Sequence, residues 1–291
     1  MAILVTGGAG FIGSYIVDLL IENNYDVIIV DNLSLGKKEN INLKAKFFNI
    51  DILSTELENV FANNKIDYII HLAAQASVSI SSKKPVLDAE SNIIGTLNLL
   101  EFARKYKVNK SIYASTAAVY GTPEYLPINE KHSTSPMSNY GLSKLTAEKY
   151  IQLSGINYII FRYANVYGLR QNAQGEAGVI SIFSDKVKNN QVVEIDGDGE
   201  QTRDFLHVKD VAEANLKAIQ SNIFNEIINI STNTSISINE LYKIIKSDNT
   251  TFKYTPKRSG DIKDSTLDNS KAIKLLNWHH KQNLESGLKE F

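Results

Sequence analysis

The chain has 291 residues, no cysteine, and a net charge of −1 from 31 Lys plus Arg against 32 Asp plus Glu. Disulfides, thiolate catalysis and cysteine-based zinc sites are therefore excluded, and there is no basic excess of the kind that marks a nucleic-acid partner. No run of roughly 18 apolar residues could span a bilayer, and the N-terminus enters an apolar strand with no basic leader, so a soluble cytoplasmic protein with no membrane partner is expected.

Ala2–Thr6 is a short apolar run that ends in glycines and leads into an apolar-periodic helix reaching about Asn24. Asp26–Val30, Asp67–His71 and Lys110–Ala114 repeat the strand pattern, with a long helical segment from about Pro85 to Tyr106 between the last two. A helix from about Ser138 to Leu153 precedes a strand at Tyr158–Phe161. Buried strands alternating with amphipathic helices predict an α/β chain, a Rossmann-type doubly wound parallel sheet covered on both faces. Ligands of such sheets sit beyond the carboxyl ends of the strands, so the loops near Thr6, Asp31, His71, Ser115 and Arg162 should converge.

After Gly168 the alternation lapses into a loop, a helix near Ile180–Lys188 and a short strand near Val193. Strand, helix, strand and helix patterns follow at Asp204–Leu206, Val208–Ile219, Glu226–Ile230 and Asn239–Ile245, then short helices around Trp278. Residues 1–168 are expected to form the dinucleotide-binding domain and 169–291 mainly a smaller interleaved C-terminal substrate-binding lobe, with 204–230 returning to the first.

Thr6-Gly7-Gly8-Ala9-Gly10-Phe11-Ile12-Gly13 joins the first strand to the first helix. Glycines there permit a tight turn and close backbone approach to a pyrophosphate, with a helix N-terminus aimed at the anion. Asp31 ends the second strand, where a carboxylate accepts hydrogen bonds from an adenosine ribose and repels a 2′-phosphate, which favours NAD over NADP. Asp51 and Ile52 are placed either to receive the adenine or as an ordinary strand-end turn. Downstream, Tyr140 and Lys144 share one helix face at i and i+4. A cation beside the phenol, or beside a ribose bound next to it, favours the phenolate, which makes a tyrosine into a base near neutral pH.

With Ser115-Thr116-Ala117-Ala118-Val119-Tyr120-Gly121 added, the chain resembles the extended short-chain dehydrogenase/reductase family, and within it the nucleotide-sugar 4-epimerases, especially UDP-glucose 4-epimerases. The likeness continues through His71-Leu72-Ala73-Ala74-Gln75, Asn92-Ile93-Ile94-Gly95-Thr96, Arg162–Gly168, Gly197–Phe205 and Arg258-Ser259-Gly260-Asp261. It implies NAD as cofactor, held by Gly7, Gly10, Phe11, Ile12, Gly13, Asp31, Asn32, Asp51 and Ile52. Leu72, Ala73, Ala74, Gln75, Asn92, Tyr140 and Lys144 join that set by the same resemblance. It makes Tyr140 the base for the sugar 4-hydroxyl, Lys144 the holder of the nicotinamide ribose, and Thr116 a partner of the 4-oxygen, with Ser115 beside it. The implied reaction is 4-epimerisation of a UDP-hexose by transient C4 oxidation, rotation of the 4-keto sugar and hydride return. Asn165 and Arg203 would meet the diphosphate, Arg258 and Asp261 the rest of the nucleotide sugar, and Val179 the uridine base. Ser265, small where a bulky tyrosine excludes 2-acetamido sugars, implies room for UDP-GlcNAc and UDP-GalNAc. Family members are commonly homodimers through the helices at roughly 85–106 and 138–153.

Dehydratase relatives carry an acidic pair where this chain has Ala117 and Ala118, so elimination lacks its acid and base. A decarboxylase uses the same triad, and a non-catalytic dinucleotide sensor keeps the fold; retention of Thr116, Tyr140 and Lys144 counts against the sensor. Asp196, Asp198 and Glu200 resemble the start of a calcium loop, but Gln201 and His207 fill positions six and twelve, so no metal is expected. His279 and His280 read as surface residues, His71 as structural, and Trp278 as core.

Overall fold

Side chains on a strand alternate between faces, so an unbroken apolar strand must be covered on both sides. At Ala2–Thr6, Ile3 and Val5 join one buried layer and Leu4 the other. The structure, a computed structural model, describes residues 1–171, 178–257 and 262–291. Its first half runs β1 (Ala2–Thr6), α1 (Phe11–Glu22), β2 (Asp26–Val30), β3 (Lys46–Phe48), α2 (Leu57–Ala62), β4 (Tyr68–His71), α3 (Val78–Lys83), α4 (Pro85–Ala89), α5 (Gly95–Lys105), β5 (Lys110–Thr116), α6 (Asn139–Leu153) and β6 (Tyr158–Tyr163). The remainder is β7 (Asn165–Tyr167), α7 (Val179–Lys188), β8 (Val193–Asp196), β9 (Thr202–Arg203), β10 (Phe205–His207), α8 (Val208–Gln220), β11 (Glu226–Ile230), β12 (Ile236–Ser237), α9 (Ile238–Ile245), β13 (Phe252–Thr255), α10 (Ser270–Leu276) and α11 (Leu284–Leu288).

Among the described residues, seven parallel strands form the main sheet in the order β11-β6-β5-β4-β1-β2-β3. One face packs on α1 and α8, through Ile16, Val17 and Leu20 of the first and Val211, Ala214 and Ala218 of the second. The other packs on α2, α5 and α6, where Phe61, Leu99 and Ile151 are buried. The chain leaves the sheet after β6 to build β7, α7 and β8, then returns through α8 and β11. It leaves again for β12, α9 and β13, and a separate apolar core of Ile180, Phe183, Val193, Ile195 and Leu241 holds these outer elements together.

Trp278 is fully buried, its indole donating to the Asp210 carbonyl at 3.0 Å, while the Asp210 carboxylate accepts from Lys281 and Gln282 N–H. That fastens the C-terminal segment to α8. His279 and His280 are exposed. No described helix is long and apolar enough to cross a membrane.

Among the differences from the sequence-based expectation, two bear on buried polar side chains. The helix expected to be continuous over 85–106 is broken by a π-helical turn at Glu90–Ile94. Asn92 lies in that turn, its amide donating to the Gln75 carbonyl, Asp88 and Ser143 at 2.9–3.1 Å. A widened turn lets the side chain reach three partners, and such turns recur at functional sites. The strand expected from Asp204 starts at Phe205; the Asp204 carbonyl still accepts from Asn165 N–H at 2.9 Å, and its carboxylate turns inward to accept from the Thr232 hydroxyl and from the N–H groups of Thr232, Asn233 and Leu267.

His71 ends β4, buried between two hydroxyls. Thr96 gives its own proton to the Asn92 carbonyl, so its oxygen accepts from His71 Nε2 at 2.9 Å; Thr6 then donates to Nδ1 at 2.7 Å. The ring is thus neutral in one tautomer. Desolvation, and secondarily the Lys144 charge, lower its pKa to about 3. The unfolded chain binds that proton near pH 6.5, so this site costs folding stability as pH falls below 6.5, by at most about 1.4 kcal/mol per pH unit. His71→Asn is expected to be destabilised at pH 7.5 by the lost bonds, with the deficit shrinking toward pH 4.5. Thermal midpoints of the two proteins across that range check it; parallel curves would refute it.

Candidate active site

The strand order reverses between β1 and β4, and the carboxyl ends of those strands open a crevice there. Gly7 has φ +72°, and a Cβ on it would stand 2.7 Å from the Ala73 amide nitrogen. The loops leaving β1 and β4 therefore touch backbone to backbone, and only glycine fits. At Gly13 a Cβ would overlap the Gly7 carbonyl. Gly10 caps α1 without a side-chain hydrogen bond, so the first-turn amides of α1 remain available to an anion.

Asp31 fixes this loop from the other side. Its carboxylate accepts from Ala9 N–H at 3.0 Å and Leu33 N–H at 2.8 Å. Burial raises its pKa, and those two bonds oppose the rise. Asn32 donates to Asp51 at 2.7 Å, joining the ends of β2 and β3. Gly7, Gly10, Phe11, Ile12, Gly13, Asp31, Asn32, Asp51, Ile52, Leu72, Ala73 and Ala74 all line one chamber of a cleft, as do Tyr140 and Lys144.

Gln75 and Asn92 do not line that chamber. Gln75 N–H donates to the Asn92 amide oxygen at 2.8 Å, and the Gln75 side chain donates to Asp88 at 2.7 Å. They lie behind the wall and brace the loop after β4 against the π turn.

The Ser138 hydroxyl caps α6 by accepting from Gly141 N–H at 3.1 Å, which starts the helix at the point where Tyr140 and Lys144 face the cleft. Lys144 is 3% exposed, its ammonium 4.4 Å from the centroid of Tyr113. The ring face repays part of the cation's lost hydration. Ser115 and Thr116 end β5; Ser115 donates to the buried Glu148, and Thr116 accepts from Ala118 N–H at 3.1 Å.

A second chamber is lined by Thr116, Asn165, Val179, Ile180 and Phe205, among others. Tyr140, Ser115, Ile12, Ala76 and Tyr163 line both chambers, so the phenol of Tyr140 stands at their joint. Arg203 lies on β9, half-buried, donating to the carbonyls of Thr202 and Lys263. Ser265 is half-buried between Asp264, which accepts from Thr202, and Thr266, which donates to Ser235. Neither lines the two chambers; Arg258 and Asp261 lie outside the described residues.

Sequence reasoning missed Tyr163 and Ala76 at the joint, and the Ser34-Leu35-Gly36 wall of the first chamber. The sequence carried a signal for Tyr163, at a strand end beside Arg162, but not for Gly36, whose approach to Asp31 (a Cβ there would stand 2.7 Å from the carboxylate) exists only in the folded chain.

Residues 3–231 match the model of the NAD dependent epimerase/dehydratase family. A putative UDP-glucose 4-epimerase of Methanocaldococcus jannaschii is 51% identical, over 99% of this chain and 96% of its own length. The crystal structure of UDP-glucose 4-epimerase with UDP-glucose from Thermotoga maritima superposes with a TM-score of 0.97 at 46% identity, covering 100% of this chain and 97% of that one. UDP-N-acetylglucosamine 4-epimerase from Methanobrevibacter ruminantium, solved with UDP-N-acetylmuramic acid, gives 0.93 at 36% identity, covering 99% and 96%. With its parallel sheet, glycine loop and two-chambered cleft, the chain belongs to the NAD dependent epimerase/dehydratase family.

Proposed function

We propose that this chain is an NAD-dependent isomerase that interconverts the C4 epimers of a UDP-hexose. The observation that carries the reading is the place of Tyr140, a phenol lining both the chamber of the glycine loop and Asp31 and the chamber of Asn165 and Val179. The first chamber fits NAD: a cradle at Gly7 and Gly13 that any Cβ would fill, uncapped amides at α1, and a carboxylate at the ribose position. The chemistry that NAD supplies when bound is reversible hydride transfer at the sugar C4 carbon.

The protein's residues do the rest. Asp31 holds the ribose hydroxyls and repels a 2′-phosphate. The Tyr140 oxygen takes the 4-hydroxyl proton and gives it back, and the Lys144 charge favours its phenolate. Thr116 already accepts one bond from Ala118, so its own proton can be donated to the 4-oxygen. Asn165 and Arg203 meet the diphosphate, where a guanidinium fork suits phosphate oxygens, and Arg258 belongs to the later nucleotide-sugar contacts. Val179 covers the base, and Asp261 joins the later sugar contacts. The turn after β5 carries Ala117 and Ala118, with no carboxylate to drive an elimination, which supports epimerisation over dehydration.

Tyr140→Phe keeps the ring and removes the ionisable oxygen. It is expected to fold and bind NAD while losing 4-epimerase turnover by about 10²–10⁴-fold; retention of more than about a tenth of the rate would sink the assignment.

A second specificity, toward 2-acetamido sugars, is proposed from the small side chain at Ser265 where relatives carry a bulky tyrosine, although Ser265 itself lines neither chamber. Ser265→Tyr is expected to remove activity on UDP-GlcNAc/UDP-GalNAc selectively while sparing UDP-Glc/UDP-Gal. Equal loss on both pairs, or none, would remove Ser265 from the pocket.

We further propose a homodimer. Val86 is 68% exposed on α4, and Leu142 and Leu153 are 54% and 83% exposed along one side of α6, an unpartnered apolar face. Sedimentation should give a dimer for the wild type and a monomer for Leu142→Glu/Leu153→Glu; a monomeric wild type would refute it.

A further inference from the structure

α6 carries Tyr140, Lys144 and Glu148 at steps of four residues, so the three side chains leave one face of the helix. The first two reach the cleft, and Glu148 is fully buried behind it. Its carboxylate receives Arg162 Nε at 3.0 Å and Nη2 at 2.6 Å, and the Ser115 hydroxyl donates to the same carboxylate. Ser115 and Arg162 are register partners on β5 and β6. The guanidinium carbon sits 4.7 Å from the Tyr120 ring centroid, and the Tyr120 hydroxyl donates to Asn229 of β11 at 2.7 Å. One carboxylate thus ties the helix to the strand ends that floor the cleft.

Such a pair is a weak stabiliser. Desolvating two ions offsets most of their attraction, and apolar side chains of similar volume are often as good or better. What it supplies is direction. From Gly141 to Glu148 the buried positions of α6 are Gly141, Ser143, Lys144, Ala147 and Glu148, so Ala147 is the one buried hydrophobic side chain there. Non-directional apolar contact would leave that stretch able to slide or turn, whereas a bidentate fork sets both rotation and height. A misplacement of about 1 Å at a reacting group can cost about 10²-fold in rate.

We infer that Glu148, through Arg162 and Ser115, is a positioning residue that sets where the Tyr140 phenol stands at the joint of the two chambers. The inference rests on the reading of Tyr140 as the base, and the test separates the two. The double variant Glu148→Leu/Arg162→Met replaces both ions with apolar groups and strands neither. It is expected to melt at or above the wild-type temperature and to bind NAD within about threefold by calorimetry, with kcat for UDP-galactose down about 10²-fold and KM little changed. Glu148→Gln keeps one oxygen for Ser115 and Arg162 Nε but sets an amide donor against Arg162 Nη2 and strands the buried cation, so it is expected to melt below both the wild type and the double variant. A Gln variant as stable as wild type would overturn the ion pair on which the inference rests. A double variant with wild-type kcat beside an inactive Tyr140→Phe overturns the positioning role and leaves the base. A double variant that melts well below wild type overturns it as well, by making the pair a stability element. A Tyr140→Phe variant that turns over overturns both.

Discussion

The active cleft depends on one close approach: the backbone at Gly7 lies against the backbone at Ala73, with no room for a Cβ between them. These two loops leave adjacent parallel strands, β1 and β4, whose onward connections run to opposite sides of the sheet. A larger residue at position 7 would force the loops apart, and the amides of α1 would no longer face the same space as the ends of β4 and β5. Asp31 completes the arrangement by bonding back to Ala9 across the loop. The first chamber is therefore a product of backbone sterics, with side chains serving mainly to hold the backbone in place.

Among the described residues, the buried cations near this frame have identifiable local partners. Lys144 is buried over the Tyr113 ring, and His71 behind it stays neutral between two threonines. A protonated histidine there would put a second positive charge near Lys144, which is one of the two causes holding its pKa down. The other buried cation nearby, Arg162, is matched by Glu148. Burial alone would pull its pKa down, and the Glu148 bonds push it higher still. Each cation thus has a local partner, a π face in one case and a carboxylate in the other.

The outer elements contribute the second chamber without forming a separate tethered body. β10 pairs with β7 directly after the chain leaves β6, and α8 then packs back on α1. α7 itself is held in the outer apolar core, where Ile180 and Phe183 pack with Val193, Ile195 and Leu241 of β8 and α9. Val179 and Gly178 at the start of α7 reach the second chamber from that braced position.

The sequence by itself determined the elements that depend on neighbours a few residues apart. The five-residue apolar strands, the glycine run between β1 and α1, the Ser138 cap and the Tyr140–Lys144 spacing are all written locally, because strand alternation and helix pitch are fixed by backbone geometry. The tertiary structure decided what depends on distant partners. Gln75 and Asn92 sit in motifs that resemble cofactor contacts, yet their polar atoms are taken up by each other, Asp88 and Ser143, and no local signal could reveal that competition. Glu148 reads as one more charged helix residue until β5 and β6 bring Ser115 and Arg162 beneath it from 33 and 14 residues away. A side chain's position on its helix or strand is set by local pitch, whereas its hydrogen-bond partners are set by which strands the sheet places side by side.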